Sequence, residues 1–349
     1  MQRALLNHLV GDAETEALFG DEAVLRALLR FEAALAEAEA EADVIPQDAA
    51  SAISQAIAGF VPDRQLLERG MATDGVVVPA LLAQLRAAIG EPHAQSLHFG
   101  ATSQDAIDTG LMLRLAAFIA LVEQRLAALE RSLDELSARS AHLTMMAHTR
   151  MQRALPMPVA TKIAAWGDPL LRLRRSLGAL RPKLLVIQLG GPVGTRAELG
   201  DKADAVAKNL ARRLDLGLAS AWHSERDPIG EFGALLSLIS GSLGKFGADV
   251  ALLSQNEIAT IALAGGGASS AMAHKSNPVT AEILVSLARF NAGLLGTLHQ
   301  ALVHENERSG AAWTLEWLVL PQMAIAAGAS LRLAMTLVGQ ISFQSGKPE

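Results

Sequence analysis

Three polar segments in an otherwise apolar chain carry the residue types that chemistry needs. The richest is Gly265–Pro278, where three glycines lead into Ser269, Ser270, Met272, His274, Lys275 and Asn277. A flexible linker would be Gly/Ser-rich without the Met, His, Lys and Asn at its far end. Glycines followed by small residues suit a mobile loop that closes over a ligand, supplying a hydroxyl, a cation and an amide. The second segment runs from His98 through Thr102, Ser103 and Asp105 to Asp108 and Thr109. Ser103 as a helix N-cap and Asp105 as a first-turn acid would account for it structurally. The same hydroxyls and N–H groups would equally receive an anion. The third holds His148, Thr149, Arg150, Gln152 and Arg153. Two cations there either complement the dipole of a preceding helix or grip carboxylates bidentately.

Helices must position these segments. The chain has 349 residues, half of them hydrophobic, with 4% aromatics and no Tyr. Its apolar mass is thus Ala, Leu, Val and Ile, dominated by strong helix formers. Leu111, Leu115, Phe118, Val122, Leu126, Leu129, Leu133 and Leu136 step by three and four, predicting a helix of about 40 Å. Phe232, Leu236, Ile239, Leu243, Phe246, Val250 and Leu253 repeat every 3.5 residues on average, the seam of a left-handed bundle. Further helices are expected over residues 21–42 (N-capped by Asp21), 156–180, 197–214, 279–303 and 311–338. Only 184–189 reads weakly as a strand. The expectation is an all-α fold built on a long central helical bundle. Residues 1–92 would form an N-terminal helical domain, 93–341 the bundle and 342–349 a tail. The apolar stretch Leu318–Leu331, interrupted by Pro321 and Gln322, reads as a buried bundle helix rather than a membrane span.

Composition narrows the function classes. The net charge of −6 lacks the basic face nucleic acid requires. With no Cys, thiolate zinc sites, disulfides and a Cys nucleophile are excluded. No His-x-x-x-His pair is present, and His274 beside Lys275 makes a poor ligand environment, so no metal is expected. No GxGxxG or GxxxxGK[ST] motif marks a nucleotide site. No secretory signal is legible at the N-terminus, which fits a cytoplasmic protein.

The three segments together resemble the fumarase/aspartase superfamily. Residues 268–278 are similar to its G-S-S-x-M-P-x-K-x-N-P signature, with Ala268 for Gly and Ala273 for Pro. Residues 98–105 match H-x-G-x-T-S-x-D, and the Thr149 region matches R-T-x-x-Q-x-A-x-P. Order and spacing agree along nearly the whole chain. Trp222-His223-x-x-Arg226-Asp227, Glu307-Arg308 and Trp313-x-x-Glu316-Trp317 are nearer to the bacterial 3-carboxy-cis,cis-muconate cycloisomerases. Adenylosuccinate-type lyases, which release fumarate, carry histidines that here are replaced within Thr73–Val76 and by Arg150, and His148 stands where they have Arg.

The resemblance implies cofactor-free acid–base catalysis on a small tricarboxylate, with no nucleic-acid or membrane partner. It implies a homotetramer whose active sites collect the three segments from three subunits, and a C-terminus shortened relative to longer relatives. Ser269 would be the proton-transfer residue, with Lys275 and Asn277 on the carboxylate that gains charge. Thr102, Ser103, His98, Arg150, Gln152, His223, Arg308, Ser270 and Met272 would bind the substrate. A non-catalytic helical scaffold would let the segments decay, yet Ser103, Ser269, Lys275 and Asn277 all stand.

Overall fold

A computed structural model describes residues 4–272 and 275–344. Ala273, His274 and most of the expected tail, residues 345–349, lie outside the described residues. The helices are α1 (Ala4–Val10), α2 (Ala13–Phe19), α3 (Asp21–Glu41), α4 (Gln47–Ala58), α5 (Arg64–Asp74), α6 (Val78–Ile89), α7 (Ser103–Arg139), α8 (Val159–Leu184), α9 (Ala203–Leu214), α10 (Asp227–Leu253), α11 (Val279–Gln300) and α12 (Gly310–Gln340). Short strands pair antiparallel as β1 (Thr144–Thr149) with β2 (Gln152–Pro158), β3 (Ile261–Leu263) with β6 (Ile341–Phe343), and β4 (Gly267–Ala268) with β5 (Ser276–Asn277). The fold is helical in class, as the composition predicts, with these small ladders added.

Both apolar stripes read from the sequence are core. Every stripe residue of α7, from Leu111 to Leu136, and of α10, from Phe232 to Leu253, is buried. Phe118 of α7 meets Phe232 of α10 edge-on at 6.2 Å between ring centroids. Helix α10 also carries a glycine face against α11. A Cβ on Gly247 would press into the Ala281 backbone carbonyl, and one on Gly244 into the Ala288 methyl. The missing side chains therefore set how closely the two helices approach. Buried Asn291 of α11 donates to Ser240 Oγ of α10 at 3.1 Å and to the Met323 carbonyl of α12 at 3.2 Å, tying the three helices together.

Helices α10, α11 and α12 are each long and apolar enough to cross a bilayer. Most of the apolar stretch of α12 is instead covered by protein, and it runs through Pro321 unbroken, so the buried-helix reading holds. Helix α11 is the least covered, with Phe290 46% exposed.

Several local expectations are corrected. Gly20, not Asp21, is the N-cap of α3, and Thr102, not Ser103, that of α7. Residues 197–202 form a 3-10 turn before α9, because Gly200 breaks the helix with φ 53° and ψ −135°. Residues 156–158 end β2, so α8 begins at Val159. The weak strand at 184–189 contributes one parallel bridge, Val186 with Gly217. Apart from residues 156–158, the hairpin β1–β2 lies outside the expected helices and strand. Its tip is a two-residue turn, Arg150–Met151, with both residues left-handed at φ 49° and 66°. Such turns favour Asn-Gly, and side chains there cost about 1–2 kcal/mol per residue.

Candidate active site

The N-terminus of α7 is organised by one carboxylate. Asp105, fully buried, accepts from the backbone N–H groups of Thr102 at 3.0 Å, Gly190 at 2.8 Å and Gly191 at 2.9 Å. Its Oδ1 also lies 2.8 Å from His223 Nε2. Glycine is required at both loop positions. Gly191 has φ 68°, and a Cβ on Gly190 would stand 2.6 Å from His223 Cε1. Asp105 thereby fixes His223 beside Thr102 and Ser103, both half-buried at the start of α7. His98, left-handed at φ 64°, lies 2.8 Å from Glu32 Oε1. Burial opposes a charge on its ring, but Glu32 and Asp105 outweigh burial and hold its pKa above the ordinary value.

One helical turn further, Asp108 and Glu316 clasp Arg226, with Nη1 2.7 Å from Asp108 Oδ2 and Nη2 2.6 Å from Glu316 Oε1. All three side chains are buried. Burial disfavours the guanidinium charge, and the two carboxylates more than compensate. Trp313 Nε1 donates to Asp108 at 3.1 Å, and the guanidinium sits 4.7 Å over the Trp222 ring. Arg226 is thus neutralised internally. Arg308 is the opposite case. It is exposed, its Nε donates to Gln104 Oε1 at 2.8 Å and its Nη2 to the Pro192 carbonyl at 3.2 Å. Among the described residues no carboxylate lies within ion-pair distance of it.

The remaining candidates stand at the other end of the bundle. Helix α7 has 37 residues, so about 55 Å separates Ser103 from the hairpin that follows. Arg150 and Gln152 are exposed at that hairpin's tip, eleven residues past Arg139, too far to serve the dipole of α7. The helix-dipole reading of this segment is therefore wrong. Trp166 of α8 stacks on Phe343 at 6.2 Å and donates to Asp249 at 2.7 Å, fixing the hairpin end beside the C-terminal end of α10.

The Gly265–Pro278 loop is at this same end, since Ala264 N–H donates to the Gln340 carbonyl at 3.0 Å and Ala281 abuts Gly247. The two-residue ladder of β4 with β5 closes the loop. Within it, Ser269 Oγ accepts from the backbone N–H groups of Met272 at 3.1 Å and Ala271 at 3.3 Å. Two N–H dipoles on one hydroxyl oxygen stabilise its anionic form, which an unassisted serine lacks. Ser270, Met272 and Lys275 are exposed and Asn277 is half-buried in β5.

One chain therefore holds two separate clusters. His98, Thr102, Ser103, His223 and Arg308 lie at one end; Arg150, Gln152, Ser269, Ser270, Met272, Lys275 and Asn277 lie at the other. Among the described residues, no hydrogen bond or ion pair joins the hairpin tip to the serine loop. No group of three His, Asp or Glu side chains is placed to hold a metal ion among the described residues. Gln104, Asp105 and Asp108 were not singled out as site residues. Their long-range partners are 85 to 205 residues away, out of reach of any local pattern.

Comparison with known proteins places this architecture. The model of a lyase family matches residues 8–290. The chain belongs to this lyase family, within the fumarase/aspartase superfamily. It is 41% identical over 333 residues to the 3-carboxy-cis,cis-muconate cycloisomerase of Pseudomonas aeruginosa, covering 93% of this chain and 72% of that one. It is 32% identical to an N-acetyl-S-(2-succino)cysteine lyase of Dickeya dadantii, covering 97% of this chain and 75% of the relative. The crystal structure of a 3-carboxy-cis,cis-muconate lactonizing enzyme from Pseudomonas putida superposes with a TM-score of 0.91 at 37% identity. That match covers 98% of this chain and 77% of the other.

Proposed function

We propose that this lyase-family chain cyclises 3-carboxy-cis,cis-muconate to 4-carboxymuconolactone, the protocatechuate branch of aromatic catabolism, without a cofactor. The observation that carries the reading is the serine loop, whose Ser269 hydroxyl already accepts two backbone N–H bonds, in a chain 41% identical to a cycloisomerase of that name. An oxygen of one substrate carboxylate adds to a carbon of the conjugated diene. The displaced electrons collect on the carboxylate at the far end of the conjugated system as an enediolate, and the carbon beside it takes a proton. Ser269 delivers that proton and regains one from solvent. The nucleophile is part of the substrate, so the protein's task is to hold a folded conformer and stabilise the enediolate. Lys275 and Asn277 face the carboxylate that gains charge. Thr102, Ser103, His98, Arg150, Gln152, His223, Arg308, Ser270 and Met272 serve substrate binding.

The two clusters of one chain are too far apart to touch one small trianion. We infer that copies of the chain complete one another's sites in a cytoplasmic homotetramer. The exposed hairpin supports this, with Met151 77% and Leu155 74% exposed, as does the apolar face of α11.

Incubation with 3-carboxymuconate tests the reading. Ultraviolet loss of the diene and a lactone in the product NMR are expected; an unchanged diene overturns it. The 32% identity to a succinocysteine lyase favours one second reading, a fumarate-releasing lyase. Fumarate appearing from a succinyl conjugate, such as adenylosuccinate or argininosuccinate, would establish that instead.

A further inference from the structure

Two arginines share one buried polar node, and their partners differ in kind. Arg226 is held by two carboxylates, so its charge is consumed inside the protein. Among the described residues, Arg308 is held by neutral oxygens alone, the Gln104 amide and the Pro192 carbonyl. Gln104, 0% exposed, is itself fixed from behind. Its Nε2 donates to Asp108 Oδ2 at 3.1 Å and to the His223 carbonyl at 2.9 Å. Both amide protons are therefore used on anchored acceptors, which aims Oε1 outward at Arg308 Nε, 2.8 Å away. A flipped amide would set its oxygen against Asp108 and its N–H₂ against a guanidinium, so this orientation is enforced.

We propose that Gln104 is a positioning residue for the substrate, holding Arg308 through its Nε while leaving the guanidinium charge and an Nη edge free for a substrate carboxylate. The proposal rests on the reading of this end as a tricarboxylate site. A glutamine meets both demands: it orients as firmly as a carboxylate would, and it leaves the cation unneutralised. The anchoring also extends one chain of contacts from Arg226 through Asp108 and Gln104 to Arg308, so a guanidinium at the protein surface inherits the rigidity of the core.

A double-mutant cycle on the full chain tests this, comprising Gln104→Met, Arg308→Ala and both together. The readouts are KM and kcat for 3-carboxymuconate and the dissociation constant of tricarballylate, a tricarboxylate with no diene to react. Gln104→Met should raise KM and the tricarballylate dissociation constant about tenfold, the scale of a lost hydrogen bond to a charged group, while kcat changes less than about threefold. In the Arg308→Ala background the same substitution should add less than about twofold. Equal effects in both backgrounds, or an unchanged KM, would overturn the proposal, because a purely structural loss would ignore whether Arg308 is present.

Should Gln104→Met fail to fold by circular dichroism, Gln104→Asn keeps the amide one methylene short and is read the same way. A wild type that binds tricarballylate but leaves carboxymuconate intact sinks the reaction alone, and the cycle is then read in dissociation constants. One that binds neither overturns both.

Discussion

At the scale of single residues, charge matters less than what each charge has already met. Ser269 Oγ is met by two loop N–H groups, the arrangement that would favour its anionic form if it serves as the proposed proton-transfer group. Ser269→Ala should lower kcat about 10²–10⁴-fold, the usual weight of a positioned proton-transfer group, with little change in KM. Loss of diene absorbance measures it, and near-normal turnover would remove Ser269 from the mechanism. Ser269, Lys275 and Asn277 were legible in the sequence because they lie within nine residues. The Asp105 and Gln104 networks were not, because their partners arrive from loops 85 and 204 residues downstream. Helix capping explained Asp105 adequately on local grounds, which hid its bond to His223.

At the scale of elements, the long helices were readable because each apolar stripe residue makes a real contact. The glycine face of α10 left no such trace, since glycines have no periodicity of hydrophobicity to detect. Gly247→Ala poses opposed effects. Helix propensity favours Ala by about 1 kcal/mol. The new methyl, however, meets the Ala281 carbonyl, and backbone of a packed helix cannot step aside as a side chain could. Overpacking costs about 1–3 kcal/mol and should win, lowering the thermal midpoint. A raised midpoint would show that α11 slides freely on α10. The hairpin escaped detection for another reason. Neither Arg150 nor Met151 is a residue that announces a left-handed turn, and β2 buries almost nothing within its own chain, so no alternation was selected.

At the scale of the whole molecule, the 37-residue span of α7 separates the two clusters of candidate residues. Mixing two impaired variants, Ser269→Ala and Arg308→Ala, by denaturation and joint refolding should give the mixture more activity than either parent under the same subsaturating substrate. Random assembly gives some sites both intact clusters, and a mixture no more active than its parents would argue that each chain works alone.

Stability should also depend on pH in a definite direction. Glu39 is buried with neither carboxylate oxygen bonded among the described residues, and burial, reinforced by Glu32, pushes its pKa up to about 9. The folded chain thus keeps a proton that the unfolded chain releases above about 4.5, so raising the pH between those values favours unfolding. The slope approaches about 1.4 kcal/mol per pH unit. His98 acts in the same sense: its raised pKa gives stability that is full below about 6.5 and lost as pH climbs through the folded value. Glu39→Gln should therefore gain in thermal midpoint over the wild type as pH goes from 6 to 8. A constant difference would mean that Glu39 finds a partner or water.

The carboxylate of Asp105 also orders events in time. Its donors come from residues 102, 190, 191 and 223, and Gln104 waits for Arg308, 204 residues later. At synthesis rates of about 5–20 residues per second, Arg308 follows Gln104 from the ribosome by about 10–40 s. Through that interval Gln104 Oε1 lacks its Arg308 partner, and Asp108 lacks the Trp313 N–H that emerges later still. This end of the bundle is thus encoded early and completed late.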